Sequence, residues 1–283
     1  MPNPAGPASA STAPAATRPA VQHLLVRYAK RGKMRFASHR DVARAFERGV
    51  RKAGLPIAYS AGFTPHPKIS YPGGAPTGVA SEAEYLSLAL TERQAETQVC
   101  QRLNAALPDG IDVIDVTEDA GGAGKPSGSA SSSPVSASRT SSSGFAHLEA
   151  SEWRMVLPGV APEEARRAVS GFLARAEAPV ERLTDKGVRR LDARTAVLEM
   201  TVIETAGLDT AGLGTAEPGS ESCAILRMVV LHTAPAVRPE DIVTALREQD
   251  GIVLSSPPMI TRLAQGQRAQ LTGQALLAGE GVS

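Results

Sequence analysis

Apolar and polar residues along the chain recur with periods of two and of about three and a half, and the order of those stretches predicts the fold. The stretch "QHLLVRYA" alternates, sending Leu24, Val26 and Tyr28 to one side and His23, Leu25 and Arg27 to the other, as in a half-buried strand. A helix is predicted next, with Ser38 as N-cap, Asp41 three residues on in capping-box spacing, and Gly54 with Pro56 as the stop. Further on, "EYLSLAL" alternates through Leu86, Leu88 and Leu90, "RQAETQVCQRLNAAL" has helical spacing at Ala95, Val99 and Leu103, and "GIDVIDV" alternates again. With one more strand near Pro56 to Ser60 or Pro67 to Tyr71, the order is βαββαβ. That is the ferredoxin-like arrangement, an antiparallel sheet with two helices on one face.

The second part of the chain repeats the order. "EWRMVL" reads as a strand, and "PEEARRAVSGFLARA" as a helix with Pro162 in its first turn and Ala165, Val169, Phe172 and Ala176 on one side. "TAVLEMTVIE" and "CAILRMVVLHT" read as a hairpin pair, "PEDIVTALREQ" as a helix and "PMITRLAQ" as a last strand. Between the halves, Ala120 to Gly144 holds ten Ser and five Gly, the composition of a flexible linker. The expected class is therefore α+β, with two tandem ferredoxin-like halves. Their bounds are a disordered tail 1–21, a basic domain 22–119, a linker 120–146, a second domain 147–266 with a flexible insertion 205–221, and a tail 267–283.

Composition bounds the chemistry. The chain has 283 residues, 42% hydrophobic and 21% charged, with a net charge of +1, as a globular protein of one or two domains does. The near-neutral total hides a basic block: Gln22 to Lys68 carries eleven Lys or Arg against Asp41 and Glu47, whereas Ile69 to Asp119 carries only Arg93 and Arg102 against nine carboxylates. Cys100 and Cys223 are the only cysteines, too few for a disulfide framework, a cysteine-held zinc or an iron–sulfur cluster. No metal or cofactor is expected in this chain. The N-terminal residues lack the apolar core of a signal peptide, and there is no apolar run of membrane-spanning length, so the expected location is the cytoplasm, with no membrane partner.

The first helix concentrates the charge. At 100° per residue, Arg40, Arg44, Arg48, Arg51 and Lys52 share one arc, while Val42, Phe46, Gly49, Val50 and Ala53 share the opposite one. Such a stripe is either a solvated face or, with carboxylates at i,i+4 spacing almost absent, a surface whose counter-charges belong to a polyanion such as a phosphate backbone. Lys30, Arg31, Lys33 and Arg35 precede it, and seven of the ten aromatic residues lie between Tyr28 and Tyr85. Cations that track phosphates and rings that stack on bases are what single-stranded RNA recognition needs. The candidate RNA contacts are Arg35, Arg40, Arg44, Arg48, Arg51, Tyr59, Phe63, His66 and Lys68, with Tyr71 a further loop aromatic and Lys186 and Arg189 a second cluster near Arg190 and Arg194.

Two histidines are candidate general acids or bases: His39 at the first helical position, and His66 in "YSAGFTPHPKISY", where Pro65 and Pro67 stiffen the backbone. No Ser, Cys or carboxylate stands at a spacing that completes a catalytic set with either. The plainer reading gives His39 to the helix terminus and His66 to the loop backbone. His23, His147 and His232 read as incidental. The Gly-rich "YPGGAPTG" matches neither a phosphate loop nor a dinucleotide fingerprint.

The stretch "RYAKRGKMRFASHRDVARAFERGVRKAGLPIAYSAGFTPHPKISY", followed by "GVASEAEYLSLAL", resembles the radical-SAM-linked domain of unknown function, a bacterial family found beside or fused to radical SAM proteins. "TDKGVRRLDAR" and "TRLAQG" resemble its later portion, although a proline is expected after Arg194 and is absent. The resemblance implies a radical SAM partner, a chain that would itself carry the iron–sulfur cluster and S-adenosylmethionine. At the level of fold, "RKAGLPIAYSAG" after a basic helix is similar to the repeat-RNA-processing endoribonucleases of CRISPR systems, which points to RNA. The leading expectation is an RNA-binding accessory protein serving a modifying enzyme, with tRNA or rRNA as the RNA. The alternatives are a metal-independent endoribonuclease using His39 or His66, and an interaction module for an acidic protein.

Overall fold

A computed structural model of the chain describes residues 18–119, 144–184, 187–203 and 222–272. The Ser/Gly-rich linker up to residue 143, the insertion 205–221, Lys186 and most of both expected tails lie outside them. The first half contains β1 (Gln22–Lys30), α1 (His39–Lys52), β2 (Ile69–Ser70), β3 (Ala80–Leu90), α2 (Glu96–Asn104) and β4 (Ile111–Glu118). The second contains β5 (Ala150–Pro158), α3 (Pro162–Ala174), β6 (Pro179–Thr184), β7 (Gly187–Asp192), β8 (Val197–Ile203), β9 (Cys223–Leu231), α4 (Pro239–Asp250), β10 (Met259–Gly266) and a short α5 (Arg268–Thr272). The fold is mixed α+β around an eight-stranded sheet.

The order in that sheet is β4-β1-β3-β10-β5-β9-β8, with β2 also on β3. The join between the halves is parallel: Thr261 and Arg262 of β10 lie opposite Ala80 and Ser81 of β3. β2 pairs farther along β3, through Ile69 with Leu88 and Ser70 with Ser87, and Ile57 bridges Leu90. Of the two stretches considered for the second strand, Pro67 to Tyr71 thus holds β2, while Pro56 to Ser60 contributes isolated bridges at Ile57 and Tyr59.

Local sequence explains the helix ends. Ser38 Oγ accepts from the Asp41 amide at 3.2 Å and Asp41 Oδ2 accepts from the Ser38 amide at 3.2 Å, so two of the orphan donors at the start of α1 are satisfied. Past its other end, Gly54 adopts φ +59°, which glycine tolerates without Cβ strain. The Arg102 guanidinium then donates to the carbonyls of Ala53 and Gly54, tying α2 to the end of α1.

Register carries one face through the join. Tyr28 lies opposite Glu84, Lys30 opposite Ser81, Ser81 opposite Arg262, and Arg262 opposite Trp153, and paired residues point to the same side of a sheet. On this face α1 and α2 bury Phe46, Val50, Val99 and Leu103 against Leu24, Val26, Leu86 and Leu88. On the same face α3 and α4 bury Phe172, Val169, Ile242 and Leu246 against Met155, Leu226 and Met228. The other face receives α5, whose Leu271 packs with Ala150 and Val229 where the sequence suggests a tail.

The β6–β7 hairpin stands outside the βαββαβ order that the periodicity predicts. Its Leu183 and Val188 are exposed, so neither strand shows the alternation that a half-buried strand writes into sequence. Arg182 anchors it, donating at 2.8 Å to the buried Asp241 at the start of α4.

Trp153, the only tryptophan, is buried beside the join and reports on it by fluorescence. Phe46→Ala, in the core of the other half, is expected to cost about 3–5 kcal/mol. In urea titrations the Trp153 transition should move to lower denaturant with it. A Trp153 midpoint left at the wild-type value would show that the halves unfold separately.

Candidate functional site

Two neighbouring features of the helical face could carry function: the solvent side of α1, and a buried ion cluster under the N-terminal end of that helix. The solvent side is as the periodicity predicts. Arg40, Arg44, Arg48, Arg51 and Lys52 are exposed, while Val42, Ala45, Phe46, Gly49 and Val50 are buried. Among these cations only Arg44 has an ion-pair partner, Asp41 at 3.9 Å, a distance worth little in water. The Asp41 carboxyl is held below its usual range chiefly by its hydrogen bonds with Ser38, so it serves the cap first. The preceding single-turn segment leaves Phe36 exposed, with the Arg35 guanidinium over its ring at 5.4 Å. Arg35 is itself spoken for, because its Nε donates to Gly78 O at 2.7 Å.

The proline-flanked stretch forms a closed, projecting loop. The Ser60 amide donates to His66 O at 2.9 Å, the His66 amide to Ser60 Oγ at 3.0 Å, and the Lys68 amide to Ala58 O at 2.8 Å. Phe63 at its tip is fully exposed, and His66 and Lys68 are exposed beside it. Tyr59 differs, being half-buried against the core of the first half. His39 meets neither His66 nor a nucleophile; its ring stands edge-on to Tyr71 at 5.1 Å. In the second half, Arg189 is exposed and Arg190 pairs with Glu181 at 2.7 Å. Asp192 Oδ1 accepts from the backbone amides of Ala178 and Arg194.

The buried cluster joins two charges on the core-facing positions of β1 and β3 to an arginine of β10. Lys30, Glu84 and Arg262 are 3%, 2% and 8% exposed, so two cations and one carboxylate are withdrawn from water together. Glu84 Oε1 accepts from Arg262 Nη1 at 2.8 Å and Oε2 from the Ala75 amide at 2.9 Å. Lys30 Nζ donates to Ala75 O at 3.1 Å and Pro76 O at 3.2 Å. Burial, more than any neighbour, draws the Lys30 pKa down, while Glu84 opposes that shift. Burial also pushes the Tyr28 and Tyr71 hydroxyls up. Gly74 lets the connecting loop close over the cluster, for a Cβ there would stand 3.2 Å from His39 Nδ1 and 3.5 Å from Glu84 Oε2.

Above the cluster a cleft of about 1160 Å³ opens between the loop 70–76 and the segment 230–239, with Tyr71, Trp153, His232 and Arg262 among its walls. Arg262 stacks over the Trp153 ring at 4.5 Å. His232, read from sequence as incidental, is fixed in this wall. Its Nδ1 lies 2.9 Å from Leu148 O, which can only accept, so Nδ1 bears the proton and Nε2 accepts from Ser151 Oγ at 2.7 Å. With both nitrogens engaged and Ser151 1% exposed, the pair orients the ring and offers no nucleophile to solvent. Among the described residues, no group of three or more His, Cys, Asp or Glu side chains gathers as metal ligands would, and no helix is long and apolar enough to cross a membrane.

Residues 23–239, more than half of the sequence, match a family described as an uncharacterized protein conserved in bacteria, DUF2344. The chain belongs to that family. No curated protein matches it. In this DUF2344 chain the matched region takes in α1, Glu84 and the hairpin and ends at Pro239, ahead of β10, so Arg262 lies beyond it.

Two outcomes follow, one from the buried ion cluster and one from His232. Glu84→Gln leaves two buried cations with no counter-charge and is expected to cost about 3–5 kcal/mol; Arg262→Met leaves Glu84 facing Lys30 and should cost less, as urea midpoints will show. Burial lowers the His232 pKa below its ordinary value, so the native state favours the neutral ring. That contribution is fully present above the unfolded pKa of about 6.5 and fades as the pH falls below it. Between about pH 7.5 and about pH 5.5 the wild type should therefore lose more stability than His232→Gln, read from paired denaturation curves.

Proposed function

We propose that this protein binds RNA across the exposed face of α1 and presents it to a radical SAM enzyme on another chain, each half of the protein being a ferredoxin-like βαββαβ unit. The observation that carries the RNA reading is the row of arginines at positions 40, 44, 48 and 51, exposed along one side of a rigid helix, with the 3.9 Å contact of Arg44 to Asp41 their one ion pair among the described residues. A one-signed row fixed on a helix attracts a polyanion at little entropic cost, and guanidinium forks match phosphate oxygens. Exposed Phe36 and Phe63 flank it in sequence and supply faces for base stacking, while His66 and Lys68 share the Phe63 loop. Tyr59 and Arg35 support this surface from within.

The ferredoxin-like reading draws support from the strand orders β4-β1-β3-β2 and β10-β5-β9-β8, in which the β6–β7 hairpin is an addition between α3 and β8. The link to a radical SAM enzyme is supported by the sequence resemblance of the α1 region and of the loop after it. On this reading the cluster and S-adenosylmethionine belong to the partner, and the cytoplasm is the place of action.

The test is affinity for bulk tRNA, and for a short unstructured oligoribonucleotide, across a salt series. Each of Arg40→Ala, Arg44→Ala, Arg48→Ala and Arg51→Ala should lower the log–log salt slope by about one unit. Folding should change by no more than about 0.5 kcal/mol, since these side chains are exposed. The matching lysine variants should keep most of the slope and lose affinity, because a point charge cannot replace a fork. Unchanged slopes in all four alanine variants would remove α1 from the RNA site.

A further inference from the structure

Among the described residues, the walls of the cleft include two arginines, Arg238 and Arg262, and no carboxylate. Beneath it, Lys30 and Arg262 share the single carboxylate Glu84, so the floor carries an excess positive charge in a place where charge is costly to leave unbalanced. Arg262 spends only Nη1 on Glu84, its Nε has no hydrogen-bond partner, and the tenth of its side chain that remains exposed belongs to the cleft wall. A guanidinium with unused donors at the floor of a wide cleft calls for an oxyanion.

The rest of the lining describes what that oxyanion is attached to. Rings of Tyr71, Phe145 and Trp153, with Leu148, Val230 and Val237, give flat and apolar walls. Thr233 and Gln265 add isolated polar groups, and the Gly73–Gly74 pair lets backbone come close. A volume of about 1160 Å³ has room for a base, a sugar and a phosphate together.

We propose that this cleft binds a nucleotide, its phosphate on Arg262 and Arg238 and its base against the aromatic wall, taken either as a free mononucleotide or as the 5′-phosphorylated end of an RNA. The site stands apart from the RNA reading of α1, because the arginines at 40, 44, 48 and 51 are not in its walls.

Trp153 makes the test direct. Titration of the full chain with adenosine or uridine 5′-monophosphate should quench Trp153 saturably in the millimolar range or below and raise the melting temperature, whereas adenosine and uridine should do neither. Arg262→Lys keeps a cation for Glu84 but loses the fork, and should weaken mononucleotide binding by about tenfold or more. Should that variant fail to fold, Arg238→Ala, an exposed rim position, should weaken binding by about fivefold with an unchanged melting temperature. Neutralising all four α1 arginines should leave the mononucleotide titration unaltered, which separates this site from the RNA surface. Competition by a short oligoribonucleotide only when it bears a 5′-phosphate would assign the RNA end as the source, and absence of competition the free nucleotide. Nucleosides acting as well as nucleotides, or neither mononucleotide changing Trp153 emission or melting, would overturn the proposal.

Discussion

The ion pair between Glu84 and Arg262, residues 178 positions apart, is the constraint on which the architecture turns. It lies where β3 and β10 meet in parallel over only two paired positions, too short a ladder to hold two sheets in register by backbone hydrogen bonds alone. The pair supplies what the ladder lacks, since a charge buried on one side is tolerable only when the other side arrives. The same carboxylate holds the Ala75 amide, and Lys30 holds the next two carbonyls of that loop, so the wall of the cleft is set by the groups that join the halves.

This arrangement explains why the helical face has a gap in its middle. Each half brings two helices to its own part of the sheet, and the cleft opens at the boundary, where Trp153 of β5 and Arg262 of β10 line it. A continuous sheet with helices grouped at both ends has a trough between them, and polar residues at the boundary keep that trough from being filled with apolar side chains. The basic face of α1 and the cleft are thus adjacent, connected through His39 against Tyr71.

Much of the fold could be read from the chain because its elements are half-buried and write their periods plainly. The capping box at Ser38, the glycine stop at Gly54 and the two faces of α1 are local features, and the structure has them where the pattern predicts. What escaped lies in non-local or fully exposed features. β10 reads as the closing strand of its own half, and nothing in "PMITRLAQ" says that its other edge pairs with a strand far earlier. Lys30 and Glu84 continue the core-facing positions of Leu24, Val26 and Tyr28 and of Leu86, Leu88 and Leu90, but nothing in the alternation names the distant Arg262 that completes their cluster. His232 follows a strand most of whose positions are buried, so its sequence neighbourhood gave no sign of the cleft.

The parallel join has a consequence for synthesis at the ribosome. β3 is complete at Leu90, but the edge that β10 covers near Ala80 has no strand partner until the chain has been made through Gly266. At bacterial-scale elongation of about 5–20 residues per second, that edge waits roughly 10–35 s, with β2 shielding only its farther part. An uncovered edge beside a half-formed charge cluster is where a nascent chain would meet a second copy of itself. The alternation of Ser81 and Glu84 with small Ala80 and Ala83 along that stretch keeps it polar during the interval, so the residues that later close the sheet also guard it before closure.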